Sequence, residues 1–168
     1  MVPGDDIVAF VTGWQGVAAT LIDRHLTVAG SSPLATALFP LLTVGLNIAR
    51  ALFLEIIPAE TCPDAEEAGY QVVAALHASL AWHEDEPQFE LLVGELSTMS
   101  REFSTAWAAA RHELRPHGVV RSTHPGAGEI AVRYQLLELA SGSNEVLIIW
   151  SAADAASASA IDALVPSC

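Results

Sequence analysis

Residues 91–114 read LLVGELSTMSREFSTAWAAARHEL, and residues 115–134 continue RPHGVVRSTHPGAGEIAVRY. The first segment carries apolar residues at helical spacing: Leu91, Leu92, Leu96, Phe103 and Trp107. After Gly118 the period changes. Val119 and Val120, then Ile130, Val132, Tyr134 and Leu136, then residues 146–150 read as three strands. Ser141-Gly142-Ser143-Asn144 joins the last two as a hairpin loop. A helical segment that gives way to consecutive strands places the second half of the chain in a mixed class with an antiparallel sheet.

Working outward, residues 17–21 and 25–29 are two short apolar runs about Asp23-Arg24, a hairpin signal. Ser32 is suited to cap a helix and Pro33 to occupy its first position. Residues 34–54 are helical in composition, broken near Pro40, and Pro58 ends them. Cys62-Pro63-Asp64 opens a further helix, with Asp64, Glu66 and Glu67 near its positive end. His83-Glu84-Asp85-Glu86-Pro87 is a polar loop, and the Ala/Ser-rich tail from Ser151 reads as a final helix to Leu164. Residues 1–16 form a short helix or arm, and residues 17–168 the domain. The order predicts an α+β fold: a five-stranded antiparallel sheet with helices gathered on one face.

The composition narrows the function. The chain has 168 residues, enough for one core, and is 52% hydrophobic and 16% charged, with mean hydropathy +0.40. An Ala/Leu/Val-rich composition and an apolar pocket or subunit interface account for this equally well. Net charge is −13 and every basic residue is Arg, so counterion release from a nucleic acid has no basic stripe to drive it. No direct nucleic-acid partner is expected. Pro40, Asn47 and Arg50 interrupt the greasiest run, residues 34–57, which therefore reads as packed helices rather than a membrane span. Asp5 and Asp6 stand where an export signal needs positive charge. Cys62 and Cys168 make no metal spacing, and a reduced, cytoplasmic protein is the expectation.

Several pieces of the sequence, in order, carry a resemblance. They are Asn47-Ile48-Ala49-Arg50-Ala51-Leu52-Phe53, Pro63-Asp64-x-Glu66, Val73-Ala74-Ala75-Leu76, Asp85-Glu86-Pro87 and Val93-Gly94-Glu95-Leu96. Ser100-x-Glu102-Phe103-x-x-x-Trp107, Arg111-His112-Glu113-Leu114 and His124-Pro125-x-x-Gly128-Glu129 complete the set. Together they resemble the MmyB-like ligand-binding domain, the PAS-like sensor half of a family of helix-turn-helix regulators of antibiotic clusters. The resemblance covers roughly residues 17–165. It implies a PAS-like sheet with helices closing an apolar pocket, which takes a fatty-acid-like or antibiotic-like molecule.

Three departures bear on that expectation. No helix-turn-helix segment precedes the domain in a chain that begins with Met, which reads as a standalone protein or a piece of a longer regulator. The family's Trp-Asn pair after the second strand is Ser31-Ser32, and its Trp after Pro-Asp is Ala65. Each lost ring removes ~150–250 Å² of buried surface and so reshapes a cavity. The basic run usual before His-Pro is reduced to Arg115 and Arg121.

Candidate residues follow from chemistry and resemblance together. Asn47 and Arg50, three apart in an apolar segment, suit a ligand carboxylate or an internal acid. His124 either donates to a ligand headgroup or organises a turn with Pro125 and Gly128. Tyr134 and Trp150 lie on strands, facing pocket or helices. Phe53 belongs to the Asn-x-x-Arg-x-x-Phe pattern, and Phe103 and Trp107 are core or ligand contacts. His112 is the candidate acid-base residue, with helix capping as the alternative. His77 and His83 are six apart and His117 stands alone, so no metal and no cofactor are expected. The reading is a small-molecule binder with an apolar partner, homodimerisation left open. The alternative is a natural-product cyclase or isomerase, in which holding a reactive conformer of a flexible substrate lowers the barrier.

Overall fold

A computed structural model of the chain describes residues 5–54, 56–80, 86–109, 113–140 and 144–165. The elements run α1 (Asp5–Thr12), β1 (Ala18–Ile22), β2 (Val28–Ser31), α2 (Pro33–Leu38), α3 (Ile48–Phe53), α4 (Ala65–Ser79), α5 (Pro87–Met99), α6 (Arg101–Ala109), β3 (His117–His124), β4 (Gly128–Glu138), β5 (Val146–Ala152) and α7 (Ala155–Asp162). The five strands form one antiparallel sheet in the order β2-β1-β5-β4-β3. This is the α+β, PAS-like arrangement expected from the sequence.

The β1–β2 hairpin turns on a side chain. The Asp23 carboxylate accepts from the backbone N–H of His25 (2.9 Å) and of Thr27 (2.8 Å), which folds the intervening residues and leaves Leu26 at φ 65. Beyond β2, the Ser32 hydroxyl caps α2, and Pro33 occupies its first turn, as those residue types require.

Residues 34–54 do not form one interrupted helix. α2 stops at Leu38, α3 starts only at Ile48, and the stretch between them is irregular. Gly45, at φ 90, lets this stretch bend back onto the edge of the sheet. There the Val28 N–H donates to the Leu46 carbonyl (2.8 Å) and the Gly45 N–H to the Val28 carbonyl (2.8 Å). Backbone pairing with an open strand edge has overridden helical composition.

The far edge is covered in the same manner. The Thr123 N–H of β3 donates to the Thr61 carbonyl (2.9 Å), and the Arg121 N–H to an Asp64 carboxylate oxygen (2.8 Å). Asp64 stands at the N-terminus of α4, but its carboxylate is turned away from that helix towards Arg121.

The segment 91–114 divides at Ser100, whose extended backbone separates α5 from α6. The Ser100 hydroxyl accepts from the Phe103 N–H (3.2 Å), starting the second helix. Leu92, Leu96 and Phe103 enter the core; Leu91, another apolar position of the segment, is 70% exposed. Two consecutive leucines subtend about 100° on a helix, so one of them turns to solvent.

Strand alternation divides the sheet into two faces. One carries Thr20, Ile22, Tyr134, Ile148 and Trp150 and packs against α3, α4 and α6. The other carries Ala19, Leu21, Leu147 and Ile149, against which α1 lays Val8 and Val11. At Gly30 this helix lies close to β2: a Cβ there would sit 3.3 Å from a Val8 methyl group. Thus α1 lies on the reverse face, while α3, α4 and α6 gather on the first.

Candidate functional site

Between the first face of the sheet and the helices lies a cleft of about 650 Å³, within the ~300–1,000 Å³ usual for small-molecule sites. Its floor follows from strand register. Gly118, Tyr134, Trp150 and Ala18 stand opposite one another in a single row across β3, β4, β5 and β1. Of this row Gly118, Tyr134 and Trp150 line the cleft while Ala18 is packed in the core, and Leu136 and Ile148 extend the floor. The walls are Phe39, Pro40, Leu41 and Leu42 of the α2–α3 connection, Ile48 and Leu52 of α3, and Val72 and Ala75 of α4. The polar rim comes from Glu60, Thr61, Asp64, Glu67, Gln71, Arg115 and Arg121.

The polar groups of the cleft are largely committed. Arg121 grips Asp64 through Nη2 (2.6 Å) and Nε (3.2 Å), which holds the Asp64 carboxyl below the usual carboxylate range and raises the guanidinium. Arg115 Nη1 donates to Glu67 (2.8 Å), and its backbone N–H donates to the Gln71 side-chain carbonyl (2.8 Å). The Trp150 indole N–H donates to the Thr20 hydroxyl (3.2 Å), and the Phe39 ring lies 4.6 Å from the indole, centroid to centroid.

His124 has both ring nitrogens occupied by backbone. Nε2 lies 2.8 Å from the Ala37 carbonyl, and Nδ1 accepts from the N–H of Gly126 (3.0 Å) and Ala127 (3.1 Å). This fixes the neutral tautomer with the proton on Nε2. It ties the β3–β4 turn to α2, and the ring is nearly buried. Of the two roles open to His124, its hydrogen bonds match the organiser of a turn.

Tyr134 differs. Its ring lies across Gly118, where a Cβ would come within 2.7 Å of the phenol oxygen. Among the described residues its hydroxyl has no hydrogen-bond partner. Burial raises its pKa; the nearby Arg115 opposes that shift and Glu67 adds to it, so the phenol is a donor at neutral pH. Cys62, at the rim, is a free thiol that burial pushes up; the Asp64 carboxylate adds to the shift and the Asp64 N–H offsets part of it.

Of the residues singled out from sequence, the structure brings His124, Tyr134 and Trp150 to the cleft. The others that the structure describes lie elsewhere. Asn47 is not inside a helix but caps α3: its side-chain oxygen accepts from the Arg50 N–H (3.1 Å), and its amide donates to the His25 carbonyl (2.6 Å). Arg50 pairs with Glu95 of α5 through Nε (2.8 Å), the internal acid that its residue type suits. Phe103 is wholly buried, with Phe53 edge-on at 5.1 Å and Trp107 stacked at 5.6 Å. Trp107 also stacks on His77 at 3.9 Å. His112 lies outside the described residues, as do Arg111, His83 and Cys168.

Periodicity does not find the α2–α3 connection or the 57–64 segment, because neither is helix or strand. The dense Pro40-Leu41-Leu42 and the pair Pro58 and Pro63 are the available signals. Among the described residues, no group of His, Cys, Asp and Glu is arranged to hold a metal ion, and no helix is long and apolar enough to cross a membrane.

An antiparallel sheet whose helices enclose a mostly apolar cleft has the form of a small-molecule-binding module. More particularly, residues 4–164 match the family described as MmyB-like transcription regulator ligand binding domain, and the chain belongs to that family. The matched span takes in nearly all of the 168 residues. No curated protein matches the chain.

Proposed function

We infer that the chain is a sensor-like binder whose cleft takes an apolar, fatty-acid-like or polyketide-like metabolite. The observation that carries this reading is the contrast between an apolar floor and walls (Leu52, Val72, Leu136, Ile148, Trp150) and a polar rim confined to one side. Burial supplies affinity at ~25 cal/mol per Å² of apolar surface, and few polar groups are needed to fix orientation. His124 and Trp150 serve as framework and contact surface, with their polar atoms already engaged. The output goes to a protein partner or is simple sequestration, in keeping with net charge −13.

The test is native mass spectrometry of the purified protein, followed by release and identification of any bound small molecule. An apolar compound recovered unchanged after incubation is the expected result. Conversion of that compound to an isomer would replace the binder with the cyclase or isomerase reading. Failure to retain any member of a broad set of long-chain lipids and polyketides would sink the reading altogether.

A further inference from the structure

Resting on the ligand-binding reading, the hydrogen bonds of the cleft narrow the ligand's chemistry. We propose that the cleft takes an uncharged ligand bearing a ketone, ester or ether oxygen, and that the Tyr134 hydroxyl donates to that oxygen.

A ligand carboxylate would meet a rim whose charges are already paired. The rim presents two guanidiniums, Arg115 and Arg121, and three carboxylates, Glu60, Asp64 and Glu67. Arg121 is held by Asp64 through both Nε and Nη2, and its backbone N–H also goes to that carboxylate. Arg115 is paired with Glu67. A ligand carboxylate would displace one of these partners or add a fourth negative charge to the same rim. A neighbouring like charge disfavours the charged form.

An ammonium ion meets the opposite difficulty: beneath the rim the surface is mostly apolar and offers no carboxylate, and desolvating a charge there is costly. A neutral oxygen meets neither. Tyr134 stands on the floor, its phenol protonated at neutral pH and, among the described residues, unpaired. Gly118 leaves the space its ring occupies. The ring is half-buried, and its hydroxyl, with no partner among the described residues, is free to donate to an incoming acceptor. The ring N–H groups of Trp150 and His124 are already engaged with Thr20 and the Ala37 carbonyl.

The experiment is isothermal titration calorimetry of the full chain at pH 7.5 with methyl decanoate, decanoate and decylammonium, matched in chain length. Methyl decanoate is expected to bind at least tenfold more tightly than either ion. Tyr134→Phe should weaken the ester about three- to tenfold, the range of one net hydrogen bond. Its melting temperature without ligand should stay that of the parent, since the hydroxyl holds nothing among the described residues. Decanoate or decylammonium binding as tightly as the ester would overturn the proposal while leaving the binding function intact. So would an unchanged ester affinity in Tyr134→Phe. If none of the three binds, the ligand-binding reading fails and the proposal falls with it.

Discussion

Gly118 and Gly94 show how one residue type carries opposite meanings. At Gly118 a Cβ would strike the Tyr134 ring at 2.7 to 2.9 Å. Gly118→Val should therefore push that ring from the floor and lower ligand affinity more than it lowers stability. Paired calorimetry and urea titrations check this. At Gly94, in the middle of α5, a Cβ would find nothing within 4 Å. Gly94→Ala should stabilise the protein by about 0.5–1 kcal/mol, the helix-interior penalty of glycine, read as a higher urea midpoint. Phe103→Ala should cost about 3–5 kcal/mol, because the ring is fully enclosed between Phe53 and Trp107 and its removal leaves a cavity. Asp64 adds a pH dependence. Its carboxyl is held low by Arg121, so the pair stabilises the fold above the usual carboxylate range and that contribution fades as pH falls through the depressed value. Asp64→Asn should flatten stability against pH below about 4, as followed by circular dichroism.

Among the elements, α5, α6 and β3 to β5 are legible in the sequence, the helices by their apolar spacing, β4 by alternation and β3 and β5 as short apolar runs, and several of the ordered motifs that identify the family lie along them. The division at Ser100 is not legible, since the apolar spacing continues across it; only the cap hydrogen bond to Phe103 marks the break. Ser100→Ala should destabilise by about 1 kcal/mol, the usual worth of such a cap, and hydrogen exchange should rise first in the opening turn of α6. Of the site, Tyr134 and Trp150 are legible as aromatic residues on strands with helices to face. Asn47 and Arg50 look alike in sequence, two polar residues in apolar surroundings, but their partners come from afar: the His25 carbonyl and Glu95. Much of the wall of the cleft is built from connections between elements. Their positions depend on which strand edge they pair with, and no local pattern encodes that.

At the scale of the whole molecule, the two strips that close the edges of the sheet are also two walls of the cleft. One runs through Pro40 and Leu41 to Gly45 and Leu46, the other through Glu60, Thr61 and Asp64. Widening the cleft at either of these edges parts backbone hydrogen bonds at Val28 or Thr123. Occupancy therefore has a second signature: ligand at a hundredfold excess over Kd should add about 2.7 kcal/mol to stability, a rise in melting temperature that differential scanning calorimetry records. Ligand exchange that widens the cleft at an edge would run on the same clock as the exposure of a raw strand edge. A protein slow to release its ligand is, by the same bonds, slow to offer that edge to its neighbours, so residence time and shelf life should lengthen or shorten together.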